Sequence, residues 1–159
     1  MPRISAGLLV YRRRDGALEV LLAHPGGPLF RHKDDGHWSI PKGEPQPGEE
    51  LLDAARREFR EEIGQSPGGS APIPLQPITQ KGGKIVYAWA VEGDWTGSSP
   101  QSNLFTMEWP PGSGRMAQFP EIDEARFFPL DAARRKIKPA QIPLLDELEQ
   151  FLRRQALAE

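Results

Sequence analysis

The chain has no cysteine among its 159 residues, which excludes disulfides, thiolate zinc sites and cysteine nucleophiles together. It also lacks a long hydrophobic run: the longest apolar stretches, near residues 4–11 and 20–23, fall far short of the roughly 20 residues a membrane-spanning helix needs. Arg12, Arg13 and Arg14 follow the first apolar run instead of preceding it, the reverse of a secretory signal, so the sequence reads as cytosolic. Neither sign of charge dominates. Twenty Lys and Arg against 22 Asp and Glu leave a net of −2, so there is no overall basic field to hold a nucleic-acid backbone, and no sequence-specific nucleic-acid partner is expected. The sequence contains no G-x-x-x-x-G-K-[ST] phosphate loop, no G-x-G-x-x-G, no H-E-x-x-H and no G-x-S-x-G. Its three histidines, His24, His32 and His37, are not at metal-ligand spacing.

What is present is a hydrophobic fraction of 38%, enough for one soluble domain over residues 1–159 with a real core. Seventeen Pro and 16 Gly predict long loops. Apolar, β-branched runs predict strands at 5–12 and 17–24, joined by an Asp15-Gly16 hairpin turn. A Gly- and Pro-punctuated loop over 25–36, a short strand at 38–40 and irregular backbone over 43–48 come next. A helix then opens near Pro47, Gly48, Glu49 and Glu50 and stops at Gly64, with Leu52, Ala55, Phe59 and Ile63 as its apolar stripe. Beyond a Pro/Gly/Ser-rich connection at 66–74, a strand pair (75–81 and 84–92) turns at Gly82-Gly83. The stretch 93–120 reads as one long loop, followed by a strand at 121–128, a short helix near 131–137 and a C-terminal helix over about 141–157. That last helix puts Leu144, Leu145, Leu148, Phe151 and Leu152 on one face. Strands mixed with helices in this order predict an α/β sandwich with a mixed sheet.

The charges are unevenly placed. Residues 1–43 carry a net of +3, residues 44–62 a net of −4 and residues 63–159 a net of −1. On the central helix Glu58, Glu61 and Glu62 are spaced i, i+3 and i+4, so three carboxylates share roughly 100° of arc. Such a cluster is either a solvated face partly neutralised by Arg57 and Arg60, or a site for a hard cation such as Mg²⁺ or Mn²⁺ held by oxygen alone.

The segment 43–65, GEPQPGEELLDAARREFREEIGQ, resembles the Nudix box, G-x(5)-E-x(7)-R-E-U-x-E-E-x-G-U, where U is bulky and apolar. Gly43, Glu49, Arg57, Glu58, Phe59, Glu61, Glu62 and Gly64 fall on the pattern, and Gln65 in the last position departs from it. Chance agreement at seven specified positions is on the order of one in 10⁹ per start site. The resemblance extends to SAGLLVYR, to WSIPKGE and to FPEIDEARFF, and KIVYAWAVEGDW is similar to the diadenosine polyphosphate hydrolase branch. It implies an α/β/α sandwich with a mixed central sheet and hydrolysis of a pyrophosphate bond in a nucleoside diphosphate linked to a group X. A dinucleoside polyphosphate or nucleoside triphosphate is the substrate class it favours. By the same resemblance Glu58, Glu61, Glu62 and the Gly43 carbonyl would ligate Mg²⁺, with Mn²⁺ as an alternative, and Glu49 would pair with Arg57 to brace the loop against the helix.

The box does not fix a general base. Family members draw it from the box glutamates, here Glu61 and Glu62, or from a later loop, where Glu121 is preferred over Glu108 and Glu124. Substrate contacts are expected from Lys42, Lys84 and Tyr87, and from Arg31 with His32 and Lys33 in the loop before Trp38, each of which also reads as an ordinary surface or sheet residue. Two other classes remain: a catalytically silent nucleotide sensor on the same fold, which has no need of three repelling glutamates, and an isoprenoid diphosphate isomerase, expected to need the cysteine this chain lacks. Oligomeric state is not legible.

Overall fold

A computed structural model describes residues 2–69, 71–95 and 99–158. The first two strands, β1 (Ile4–Arg14) and β2 (Ala17–Pro25), form an antiparallel hairpin. Asp15 and Gly16 both adopt positive φ, 52° and 80°, the backbone that a two-residue turn between right-twisted strands demands. Strand β1 is central and buried on both sides, which is why it reads as an almost continuous apolar run. Leu8 and Val10 enter one core cluster, Leu9 and Tyr11 the other.

Helix α1 (Leu51–Ile63) lies against the first face and buries Ala54, Ala55, Phe59 and Ile63 there. Leu52, expected on its stripe, is only half-buried. The helix starts after Glu50; residues 47–50 precede it as a turn, with the Glu49 N–H donating to the Gln46 carbonyl at 3.0 Å. Gly64 ends it at φ 96°, donating its N–H to the Arg60 carbonyl at 2.8 Å, a left-handed cap that only glycine adopts without strain. The opposite face is covered by α2 (Leu130–Lys136) and α3 (Ile142–Ala158), whose Leu144, Leu145, Leu148 and Leu152 are buried.

Between the helical layers the remaining strands are β3 (Lys42–Gly43), β4 (Ile73–Pro74), β5 (Ile78–Thr79), β6 (Ile85–Glu92) and β9 (Ile122–Pro129). The sheet runs β4-β6-β1-β2-β9, with β3 paired to β1 and β5 to β6. The β1 and β6 strands are parallel and the other pairs antiparallel. The architecture is therefore an α/β/α sandwich around a mixed sheet.

Four expectations are corrected. Of the strand expected at 75–81 only β5 (Ile78–Thr79) pairs, and β4 lies ahead of it at Ile73–Pro74; Pro77 between them cannot donate to a continuous ladder. Residues 38–40 make only single bridges, Trp38 to Ile137 and Ser39 to Ala23. The segment that pairs is β3, so Gly43, expected to be irregular, is in a strand. The supposed loop 93–120 contains a separate hairpin of β7 (Leu104–Glu108) and β8 (Met116–Pro120). Its strands alternate exposed and half-buried side chains, a pattern too weak to stand out among the surrounding Gly, Pro and Ser. Residues 96–98 of that stretch and Ser70 of the 66–74 connection lie outside the described residues.

Candidate active site

The start of the box is set by a steric fit. A Cβ added to Gly43 would lie 2.0 Å from the carboxyl carbon of Glu58, so any other residue there would displace that carboxylate. Strand β3, paired to β1 at Ala6 and Gly7, thereby brings the loop backbone directly against the helix.

Arg57 ties the two together. Its Nε and Nη2 donate to Glu49 Oε2 and Oε1 at 2.9 and 3.0 Å, and Nη2 also donates to the Glu44 carbonyl at 3.1 Å. Its Nη1 donates to Glu58 Oε1 at 2.9 Å and Glu61 Oε2 at 3.0 Å. The Arg57 fork and the Gln46 N–H hold the Glu49 carboxyl down at about 2, and the three carboxylates hold Arg57 above its ordinary value.

Across from Arg57 the site is under-neutralised. Burial, then the charge of Glu58 and, more weakly, of Glu121, pushes Glu62 up to about 8 against the pull of Lys42. Burial raises Glu58 too, with Glu61 and Glu121 adding to it, despite the Arg57 hydrogen bond. Lys42 is pushed down to about 8 by burial and by the ammoniums of Lys138 and Lys84. Crowded, partly desolvated carboxylates of this kind are what a hard divalent cation relieves. The donors fit such an ion in kind. Glu58 and Glu61 each give one oxygen to Arg57, leaving Glu58 Oε2 and Glu61 Oε1 for a cation. As they stand, no three His, Asp or Glu side chains among the described residues converge into a ready-made cage.

The other expected residues separate. Glu121, exposed at the entry to β9, adds its charge to that felt by both Glu58 and Glu62, while its backbone is pinned by Gly26 and Asn103 at 2.9 Å each. Glu108 instead accepts the Gly112 N–H at 2.7 Å in the β7–β8 turn, and Glu124 pairs with Arg126. Lys84 reaches Glu44 at 3.7 Å. Tyr87 is half-buried on β6 beside Ala6 of β1. Arg31, His32 and Lys33 line a different cavity, of about 590 Å³, whose walls include Arg126 and Lys136 but no box residue.

A sequence model of the NUDIX domain matches residues 1–148. The chain belongs to the Nudix family. It is 36% identical over 99 residues to the asymmetrical bis(5′-nucleosyl)-tetraphosphatase of Sus scrofa, covering 55% of this chain and 63% of that one. It is 41% identical over 58 residues to the protein of the same name from Caenorhabditis elegans, covering 36% and 38%. Both matches span less than two thirds of the relatives' own length. The solved structure of a C. elegans Ap4A hydrolase binary complex superposes with a TM-score of 0.66 at 24% identity, over 93% of this chain and 97% of that one, a likeness of fold.

Beside the Nudix box lie three residues that sequence reasoning missed. Lys138 and His37 join Lys42 and Glu62 around a cavity of about 140 Å³; burial and the charge of Lys84 lower Lys138. Gln141 is wholly buried. Its Oε1 accepts the Ile40 N–H at 3.1 Å, and its Nε2 donates to Ser39 Oγ at 3.0 Å and Gln80 Oε1 at 2.8 Å. It thus ties the segment before Lys42 to the β5–β6 turn and the start of α3. The available signal was slight: a lysine before Pro139, and a polar residue at the head of an apolar helix. Among the described residues, no helix is long and apolar enough to cross a membrane.

Proposed function

We propose that the chain is a pyrophosphohydrolase acting on a nucleoside diphosphate linked to a further group, with a dinucleoside polyphosphate or nucleoside triphosphate as substrate. The observation that carries this reading is the gathering of Glu58, Glu62 and Glu121 opposite Lys42 beside a small cavity. The local sequence identity to two tetraphosphatases supports the substrate class.

In this reading Glu58, Glu61, Glu62 and the Gly43 carbonyl hold Mg²⁺ or Mn²⁺, which supplies charge neutralisation at the diphosphate and a more acidic attacking water. The Glu121 carboxylate takes the proton as the water oxygen attacks phosphorus. The bridging P–O bond breaks, and the departing phosphate keeps the electron pair. Lys42 sits to meet the negative charge on the phosphoryl oxygens. Arg57, held by Glu49, orients Glu58 and Glu61.

The test is nucleotide release from diadenosine tetraphosphate, the common nucleoside triphosphates, ADP-ribose and 5′-capped RNA, with Mg²⁺ and then with chelator. Rapid chelator-sensitive cleavage of a tetraphosphate or triphosphate is expected. Tight nucleotide binding without turnover would replace the hydrolase with a nucleotide sensor.

A further inference from the structure

The small cavity beside Glu62 does not stand alone. Lys138 and His37 also line a second, larger cavity of about 620 Å³, walled further by Gln80, Lys81 and Pro139. The two volumes therefore meet at one wall. Their sizes assign different contents: about 140 Å³ admits phosphoryl groups and water but not a nucleoside, whereas about 620 Å³ lies within the 300–1,000 Å³ span of small-molecule pockets.

Lys138 at that wall is half-buried, and among the described residues its ammonium makes no ion pair or side-chain hydrogen bond. Its backbone is fixed, with its N–H donating to the Trp38 carbonyl at 2.8 Å and its carbonyl accepting the Gln141 N–H at 2.8 Å. Gln141 in turn holds Gln80 on the far side. A half-buried ammonium on a rigid turn, close to Lys42 and Lys84 and facing Glu62 across the small cavity without an ion pair to it, is satisfied by an anion that arrives with the ligand.

We infer that Lys138 grips the polyphosphate chain where it crosses from the Glu62 cavity to the Pro139 cavity, with the nucleoside lodged in the latter. Resting on the hydrolase reading, this makes Lys138 a determinant of chain length. A nucleoside beyond Lys138 stands at least two phosphates from the bond being cut, which favours tri- and tetraphosphates over ADP-ribose.

Calorimetric titration with tripolyphosphate, β,γ-methylene-ATP and AMP, in chelator, tests the contact without turnover. Lys138→Ala is expected to weaken the first two at least tenfold and AMP less than threefold, with Lys138→Arg restoring most of the loss. With Mg²⁺, Lys138→Ala is expected to raise KM for diadenosine tetraphosphate at least tenfold, with kcat within about threefold and ADP-ribose little changed. Equal polyphosphate affinity in the wild type and Lys138→Ala, both with unchanged melting, overturns the inference even if the wild type is a good hydrolase. A polyphosphate-binding wild type that hydrolyses nothing overturns the hydrolase reading and leaves the Lys138 contact standing.

Discussion

At the scale of single residues the site is a balance of charges that one guanidinium only half resolves. Arg57 neutralises Glu49 and one oxygen each of Glu58 and Glu61, while Glu62 faces Lys42. Glu62→Gln keeps the shape and removes the charge, so it is expected to lower kcat by a hundredfold or more with an unchanged circular dichroism spectrum; the same holds for Glu61→Gln. Gly43→Ala separates sterics from charge. Its methyl would fall 2.0 Å from the Glu58 carboxyl carbon, so the carboxylate must move. The expected result is a large loss of activity in a protein that still melts cooperatively. The box glycine and glutamates were legible because their spacing is local to one turn and one helix. Lys138 was not, since its role depends on a turn some 76 residues after Glu62 folding back over Trp38.

At the scale of elements, legibility followed burial. Helix α1 and the β1–β2 hairpin were readable because their apolar periodicity is strong and their ends carry a glycine stop or a two-residue turn. The β7–β8 hairpin was not, because it sits outside the main sheet and buries little. The helix that carries the glutamates is anchored from beneath by Phe59, which is fully buried. Phe59→Ala is expected to cost about 3–5 kcal/mol in urea unfolding. A loss below about 1 kcal/mol would mean that α1 is held by the Arg57 bridges instead of by its apolar face.

At the scale of the whole molecule, the two half-buried groups at the site should shape stability against pH in the absence of divalent cations. Glu62 is raised from 4.5 to about 8, so between those values the folded protein binds a proton the unfolded chain has lost, and stability falls as pH rises. Lys42 is lowered from 10.5 to about 8. Above that value the unfolded chain holds the extra proton, and stability recovers. A stability minimum near pH 8 is therefore expected in chelator, and Mg²⁺ is expected to fill it in, because the cation binds the carboxylate form. Thermal melts across pH 5 to 10, with and without Mg²⁺, check this; a flat profile in chelator would remove Glu62 and Lys42 as coupled, desolvated groups.

The β7–β8 hairpin shares no ladder with the main sheet. It is moored nearby by Phe105, whose ring leaves no room for a side chain at Gly27, and by Ser102, which exchanges hydrogen bonds with Ile122. Asn103 at its foot accepts the Glu121 N–H, so the base of the hairpin is tied to that glutamate, whereas none of its residues enters the core beneath the box helix. Insertions or exchanges in the turn between β7 and β8 would therefore leave the box helix and its core unchanged.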